Sequence, residues 1–189
     1  MSEGAEGLAD RLERQTFEIV DFLSRLTKSE LEIPCPNEDA GPNVGAIAVH
    51  VAASFGRATV ILQAAAPVPA GRVHDVPQAL VQGHPHMGPR SGGGVEGSDI
   101  DATIRRIKDH GRELVDLVRS YPAYALRRPL PAGAARSANL GKPVGMIIEY
   151  MIYLQAAHLD TMRCAVADRR GGADGPQIEH GRSKDRFSA

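Results

Sequence analysis

The chain of 189 residues is long enough to bury one substantial core. With 42% hydrophobic residues, 4% aromatics and no Trp, that core must be built from Ala, Val, Leu and Ile, which suits packed helices. A formal net charge of −1, with basic residues scattered among acids and no basic run interleaved with aromatics, argues against nucleic acid or an acidic membrane surface as partner.

Four segments carry helical periodicity. In the first, Leu8, Leu12, Ile19, Phe22, Leu23 and Leu26 recur at three- and four-residue steps. It gives way at "LTKSELEIPCPN", where Thr27 and Glu30 have capping-box spacing for one short turn. Pro34 and Pro36 then force an extended connection. The second helix is expected to start at Asn43, a favoured N-cap, with an apolar face of Val44, Ile47, Val51, Phe55, Ala58 and Leu62. The third follows Ser98 as cap and presents Ile100, Ile104, Ile107, Gly111, Leu114 and Val118, ending before Pro122. The fourth runs from about Pro143 to Ala167, with a face of Val144, Ile147, Met151, Leu154, His158, Met162 and Ala165.

These helices, with no convincing alternating strand, predict an all-α fold, a four-helix bundle over residues 1–168. Long connections are expected over 66–97 and 121–142, and a mobile C-terminal tail over 169–189. No internal repeat is evident. The N-terminal "MSEGAEGLADRLERQ" lacks the apolar core of a signal peptide, and the longest apolar segments carry Arg, Gln, Glu or His, so no membrane span is expected. A cytoplasmic protein is the expectation. Cys35 and Cys164 are too few for a disulfide framework and lack CxxC spacing; packing is the default role for both.

His158 falls in the fourth helix's apolar face and should point inward, as a satisfied core histidine, a metal ligand or a general base. His50, in "GAIAVHVAAS", sits at the edge of the second helix's face, with Ser54 and Arg57 on the same side. Two inward histidines on different helices are the raw material of a bundle metal site.

The stretches "FLSRLTKSELEIPCPN", "VGAIAVHVAASFGRA" and "MIIEYMIYLQAAHLDTMRCA" resemble the DinB-like superfamily, and within it the mycothiol-dependent maleylpyruvate isomerase-like proteins. The resemblance spans roughly residues 8–167. It implies a divalent metal, zinc or nickel, and a low-molecular-weight thiol as cofactors. It also implies three ligands, one from the second helix and two from the last, spaced His-x3-His or Glu-x3-His. His50 and His158 match the first and last positions, but Leu154 occupies the middle one and cannot ligate. Gln155 should point about 100° away from that position, and Glu149 should lie on the opposite face. A third ligand would have to come from elsewhere, such as His84 or His86 in "GHPHMG", although exposed loop histidines are the default there. His74, His110 and His180 have weaker claims.

Two functional readings follow. In one, an enzyme acts on a small molecule inside the bundle, by isomerase or thiol-transferase chemistry, through a metal or through a neutral His50 or His158 as general base. Arg57 is then a candidate clamp for a substrate carboxylate, and Tyr150 and Tyr153 are lining contacts by default. In the other, the bundle has lost the chemistry, and the histidines serve packing or binding. A homodimer fits either reading.

Overall fold

The computed structural model describes residues 4–35, 40–66, 99–130 and 141–171. Among these the chain is all-α, with no strand and two isolated bridges. The helices are α1 (Ala5–Ser24), α2 (Lys28–Leu31), α3 (Val44–Ala65), α4 (Ile100–Arg119), α5 (Ala123–Leu126) and α6 (Val144–Gly171).

Local chemistry explains where they start. Thr27 and Glu30 close the expected capping box on α2. Asn43 Oδ1 accepts from the Ala46 N–H at 2.8 Å and caps α3. The cap of α4 is Asp99 rather than Ser98, its Oδ1 accepting from Asp101 N–H at 3.1 Å; Ser98 lies outside the described residues. The short α5 was not expected, because Pro122 ends one helix and opens another, as a residue without an N–H can at a helix start. The last helix also runs past Ala167 to Gly171, so Arg169 to Gly171 belong to α6 and not to a tail.

The four long helices close a ring of contacts: α1 on α4, α4 on α3, α3 on α6, and α6 on α1. Their directions follow from individual pairs. Arg119 near the end of α4 reaches Glu6, Asp10 and Glu13 at the start of α1, and Gly111 meets Thr16 further along, so these two run antiparallel. His110 Nδ1 lies 3.2 Å from Ala52 O, while the Tyr121 hydroxyl donates to Leu62 O, so α3 and the α4 segment run parallel. Tyr121 thereby satisfies a carbonyl in the last turn of α3, and burial pushes its phenol up to about 12. Parallel neighbours need a connection that travels back along a helix, about 33 Å for 22 residues at 1.5 Å each.

The structure contains a repeat that the sequence hides. Each half is a long helix, a short helix, a proline hook and a second long helix. In the first half Pro34 bridges Asn43, with Val44 N–H donating to Ile33 O and Cys35 N–H to Pro42 O. In the second, Pro129 bridges Pro143, with Val144 N–H donating to Arg128 O and Leu130 N–H to Lys142 O. Gly45 and Gly145 occupy matching places. A Cβ on either would stand 3.3 Å from the carbonyl of Leu31 or Leu126, the last residue of the preceding short helix.

The core is aliphatic, with Phe55 its largest fully buried side chain. All six residues expected on the α3 face are buried. By length and composition alone α3 is apolar enough to cross a membrane, a test that core helices also pass, and 44% of its most apolar window is buried inside the protein. On α6 the buried face is Val144, Ile147, Ile148, Ile152, Gln155, Leu159, Met162 and Val166. Leu154 and His158 are therefore half-buried at its edge, and Gln155 is inside.

Two outcomes follow from these contacts. A Cβ at Gly111 would stand 2.6 Å from Thr16 Cγ2, so Gly111→Ala should force α1 and α4 apart and cost about 1–3 kcal/mol in chemical denaturation. Adding Thr16→Ala should recover most of that loss, since the nearest remaining atom would be the residue 16 Cβ at 3.4 Å. At the second contact, the Glu30 carboxylate is held down to about 2, first by the Thr27 N–H and hydroxyl and then by Arg170. Its contribution is complete above the ordinary value of 4.5 and is lost as pH falls toward 2. Thermal unfolding between about pH 5 and pH 2 should therefore fall less steeply for Glu30→Gln than for the parent.

Candidate functional site

The hooks start α3 and α6 toward each other, and the two helices pack antiparallel: His50 pairs with His158 while Ser54 pairs with Gln155. The rings of His50 and His158 lie with centroids 5.2 Å apart and planes at 75°, an edge-to-face contact. The two residues singled out in the sequence do meet. Both are half-buried at the α3–α6 seam, which corrects the expected central, core-facing place of His158.

Gln155 takes the central place instead, at 4% exposure. Ser54 Oγ donates to the His50 carbonyl at 3.1 Å, which leaves the hydroxyl free only to accept. Gln155 Nε2 supplies that proton at 3.2 Å, so the orientation of the amide is set by a neighbour whose role is already fixed. Gln155 Oε1 is left buried with no hydrogen-bond partner. An orphaned buried acceptor costs about 1–3 kcal/mol. The expected 100° rotation of Gln155 away from residue 154 is present, but it turns Gln155 into the protein and Leu154 toward the edge. A signal for this lay in Ile148, Ile152, Leu159 and Val166, a second apolar stripe one position round from the one chosen.

The other candidates separate from the pair. Arg57 is exposed, about 10 Å along the α3 axis from His50 at 1.5 Å per residue, and nothing brings it to the imidazoles. Glu149, Tyr150 and Tyr153 are exposed, so neither tyrosine lines a cavity. His110 binds the Ala52 carbonyl and packs on Gly56, where a Cβ would stand 3.1 Å from its ring. His74, His84, His86 and His180 lie outside the described residues. Among those described, no three His, Cys, Asp or Glu residues gather as a metal would need. Two imidazoles are the metal-ligating side chains at this seam, and Leu154 supplies no third.

A groove of about 500 Å³ opens beside the pair, lined by Pro34 and Cys35 before α3 and by Asp160, Thr161, Cys164, Ala165 and Asp168 of α6. It contains neither imidazole; Thr161 is the wall residue one turn beyond His158. Cys35 is buried, as a packing role requires, whereas Cys164 is exposed, which corrects the packing role expected for it.

Comparison with family models, with curated proteins and with solved structures finds no match to this chain. The likeness to the DinB-like superfamily rests on the motifs quoted above.

The contrast between the cysteines is directly measurable. A small alkylating reagent should modify one thiol per chain in the native protein, at Cys164, and a second, at Cys35, only after unfolding. Peptide mapping by mass spectrometry distinguishes the two.

Proposed function

We propose that the chain is a DinB-like four-helix bundle that acts on a small molecule, as an isomerase or thiol-transferase, with the α3–α6 seam as its active site. The meeting of two imidazoles from different helices carries this reading. Neutral imidazole offers one donor and one acceptor nitrogen. Two such rings side by side can withdraw a proton from one position of a bound molecule and return it at another, which is what an isomerisation asks of its acid and base. The groove that begins one turn from His158 has the volume of a small-molecule site, and the ring order and directions of α1, α3, α4 and α6 are those a four-helix bundle needs.

His50 and His158 would also hold the divalent ion that the resemblance implies, and a bound ion would lower the pKa of a thiol or water. Arg57 has no part in this chemistry, because it stands exposed and two turns away.

The edge-to-face contact supports a second reading, a structural histidine pair worth about 0.5–1.5 kcal/mol beyond its burial. Two probes separate the readings: maleylpyruvate with a thiol, followed by absorbance, and a thiol with an electrophilic haloarene, followed by thiol loss. The enzyme reading expects turnover of one of them, falling at least about 100-fold in His50→Gln, His158→Gln with the melting temperature little changed. The structural reading expects a lower melting temperature in the variant and no turnover in the parent. Parent and variant turning over equally would sink the assignment of the site.

A further inference from the structure

The outer faces of the long helices are not alike. On α4, Arg105, Arg106, Lys108, Asp109 and Arg112 stand exposed in succession. In residues 44–65 of α3 and 144–159 of α6 the charged side chains are Arg57 and Glu149, and no others. That face nevertheless carries large side chains. Met146, Tyr150 and Tyr153 are 53%, 53% and 67% exposed, with Val49, Ala53 and Ala157 exposed beside them. On each helix the exposed positions recur at three- and four-residue steps, so each set forms one outward stripe. Their types are those of an interface core, in which Tyr, Met and Arg are enriched and Lys and acids are scarce.

The area is sufficient for a pair of chains. At usual residue areas, Val49, Met146, Tyr150 and Tyr153 leave about 400 Å² open to solvent. Ala53, Arg57 and Ala157 raise this to about 550 Å² per chain, so two copies face to face bury about 1,100 Å². A specific interface needs about 1,000 Å². The register of the helices also makes the face complementary to itself. Ser54 is level with Gln155 and His50 with His158, which puts Arg57 level with the turn from Tyr150 to Tyr153. A twofold axis normal to the face at that height lays α3 of one copy on α6 of the other. Arg57 then meets the partner's Tyr150 and the partner's Tyr153, where a guanidinium stacks well on an aromatic ring. The partner's Glu149, of opposite charge, lies beside the same turn, and the symmetry makes the contact twice.

We propose that the outer face of α3 and α6 is the interface of a symmetric homodimer, with Tyr150 and Tyr153 as anchors and Arg57 setting the register. The groove along Asp160 to Asp168 lies toward the other end of α6 and stays open in such a pair. A phospholipid surface suits the face less well: Arg57 is the one Lys or Arg in the two stretches, and a helix lying on a membrane carries several. The interface is independent of any chemistry at the histidine pair.

The test is sedimentation equilibrium of the full chain between about 1 and 100 μM, a range that captures an interface of modest size. The parent should sediment at twice the mass of the 20.2 kDa chain. Tyr150→Ser, Tyr153→Ser should weaken association at least about 100-fold, and Arg57→Ala about tenfold. Phe17→Ser, which removes an α1 side chain 70% exposed, should leave the dimer as it is. Circular dichroism of the double variant should match the parent, since both tyrosines are exposed. If it does not, the single surface change Arg57→Ala carries the test. A parent that stays monomeric throughout overturns the proposal, as does a dimer that survives these substitutions. A monomeric parent that pellets with vesicles of phosphatidylcholine and phosphatidylglycerol also overturns it and assigns the face to a membrane.

Discussion

Everything in the seam depends on how α3 and α6 are launched. Each helix begins one residue after a proline hook, and each first N–H is tied to a carbonyl of the incoming chain, Val44 to Ile33 and Val144 to Arg128. A helix has four unsatisfied N–H groups at its start, and binding the first one to the approaching chain fixes the axial position of every residue downstream. A shift of one residue would rotate a helix by about 100°, enough to move His158 off the seam or to turn Gln155 out into water. Gly45 and Gly145 let the short helices come close enough for those bonds to form. The position of an imidazole deep in α6 is thus set more than a dozen residues earlier, by backbone hydrogen bonding.

How much of this was legible in the sequence depended on how one-sided each helix is. In α4, charged residues fill the outer face, so Ile104, Ile107, Gly111, Leu114 and Val118 could be assigned inward without ambiguity, and all are buried. The α3 face was equally plain, because Ile47, Val51, Phe55 and Leu62 outweigh the alanines around them. In α6 the method failed for a physical reason. Its first half is apolar nearly all round, with Met146, Tyr150 and Tyr153 exposed on one side and Ile148 and Ile152 buried on the other. Two stripes one residue apart then fit the helical period about equally well. His158 was found, but its setting was misjudged, and Gln155 was set aside. The repeat is hard to see in the sequence because backbone hydrogen bonds carry it: few positions match by residue, among them Leu31 and Leu126, Pro34 and Pro129, the Val-Gly pairs at 44–45 and 144–145, and Ile47 and Ile147.

Energetically the seam is the costly part of an otherwise aliphatic interior. Among the described residues only Thr59, Thr103 and Gln155 are polar and buried. Thr59 gives its proton to the Phe55 carbonyl within its own helix, at 3.2 Å. Gln155 differs in reaching across to another helix and in keeping an oxygen without a partner. Methionine would fill a similar volume without that cost but would give up the bond from Gln155 Nε2 to Ser54 Oγ across the seam. Among the described residues the other buried side-chain polar atom without a partner is Gln15 Nε2 on α1, so the seam is one of two places where the interior carries this cost.

The repeat also bears on how many sites there can be. With Val44 and Val144 equivalent, the position matching His50 is Tyr150 and the position matching His158 is Ala58. The α3–α6 seam therefore has two ends that the duplicated frame would make alike. One carries the imidazole pair and the other carries a buried alanine and an exposed tyrosine. A frame that is close to twofold in its backbone is thus unlike at its two ends in side chain: two imidazoles meet at one, and a tyrosine and an alanine take the equivalent positions at the other.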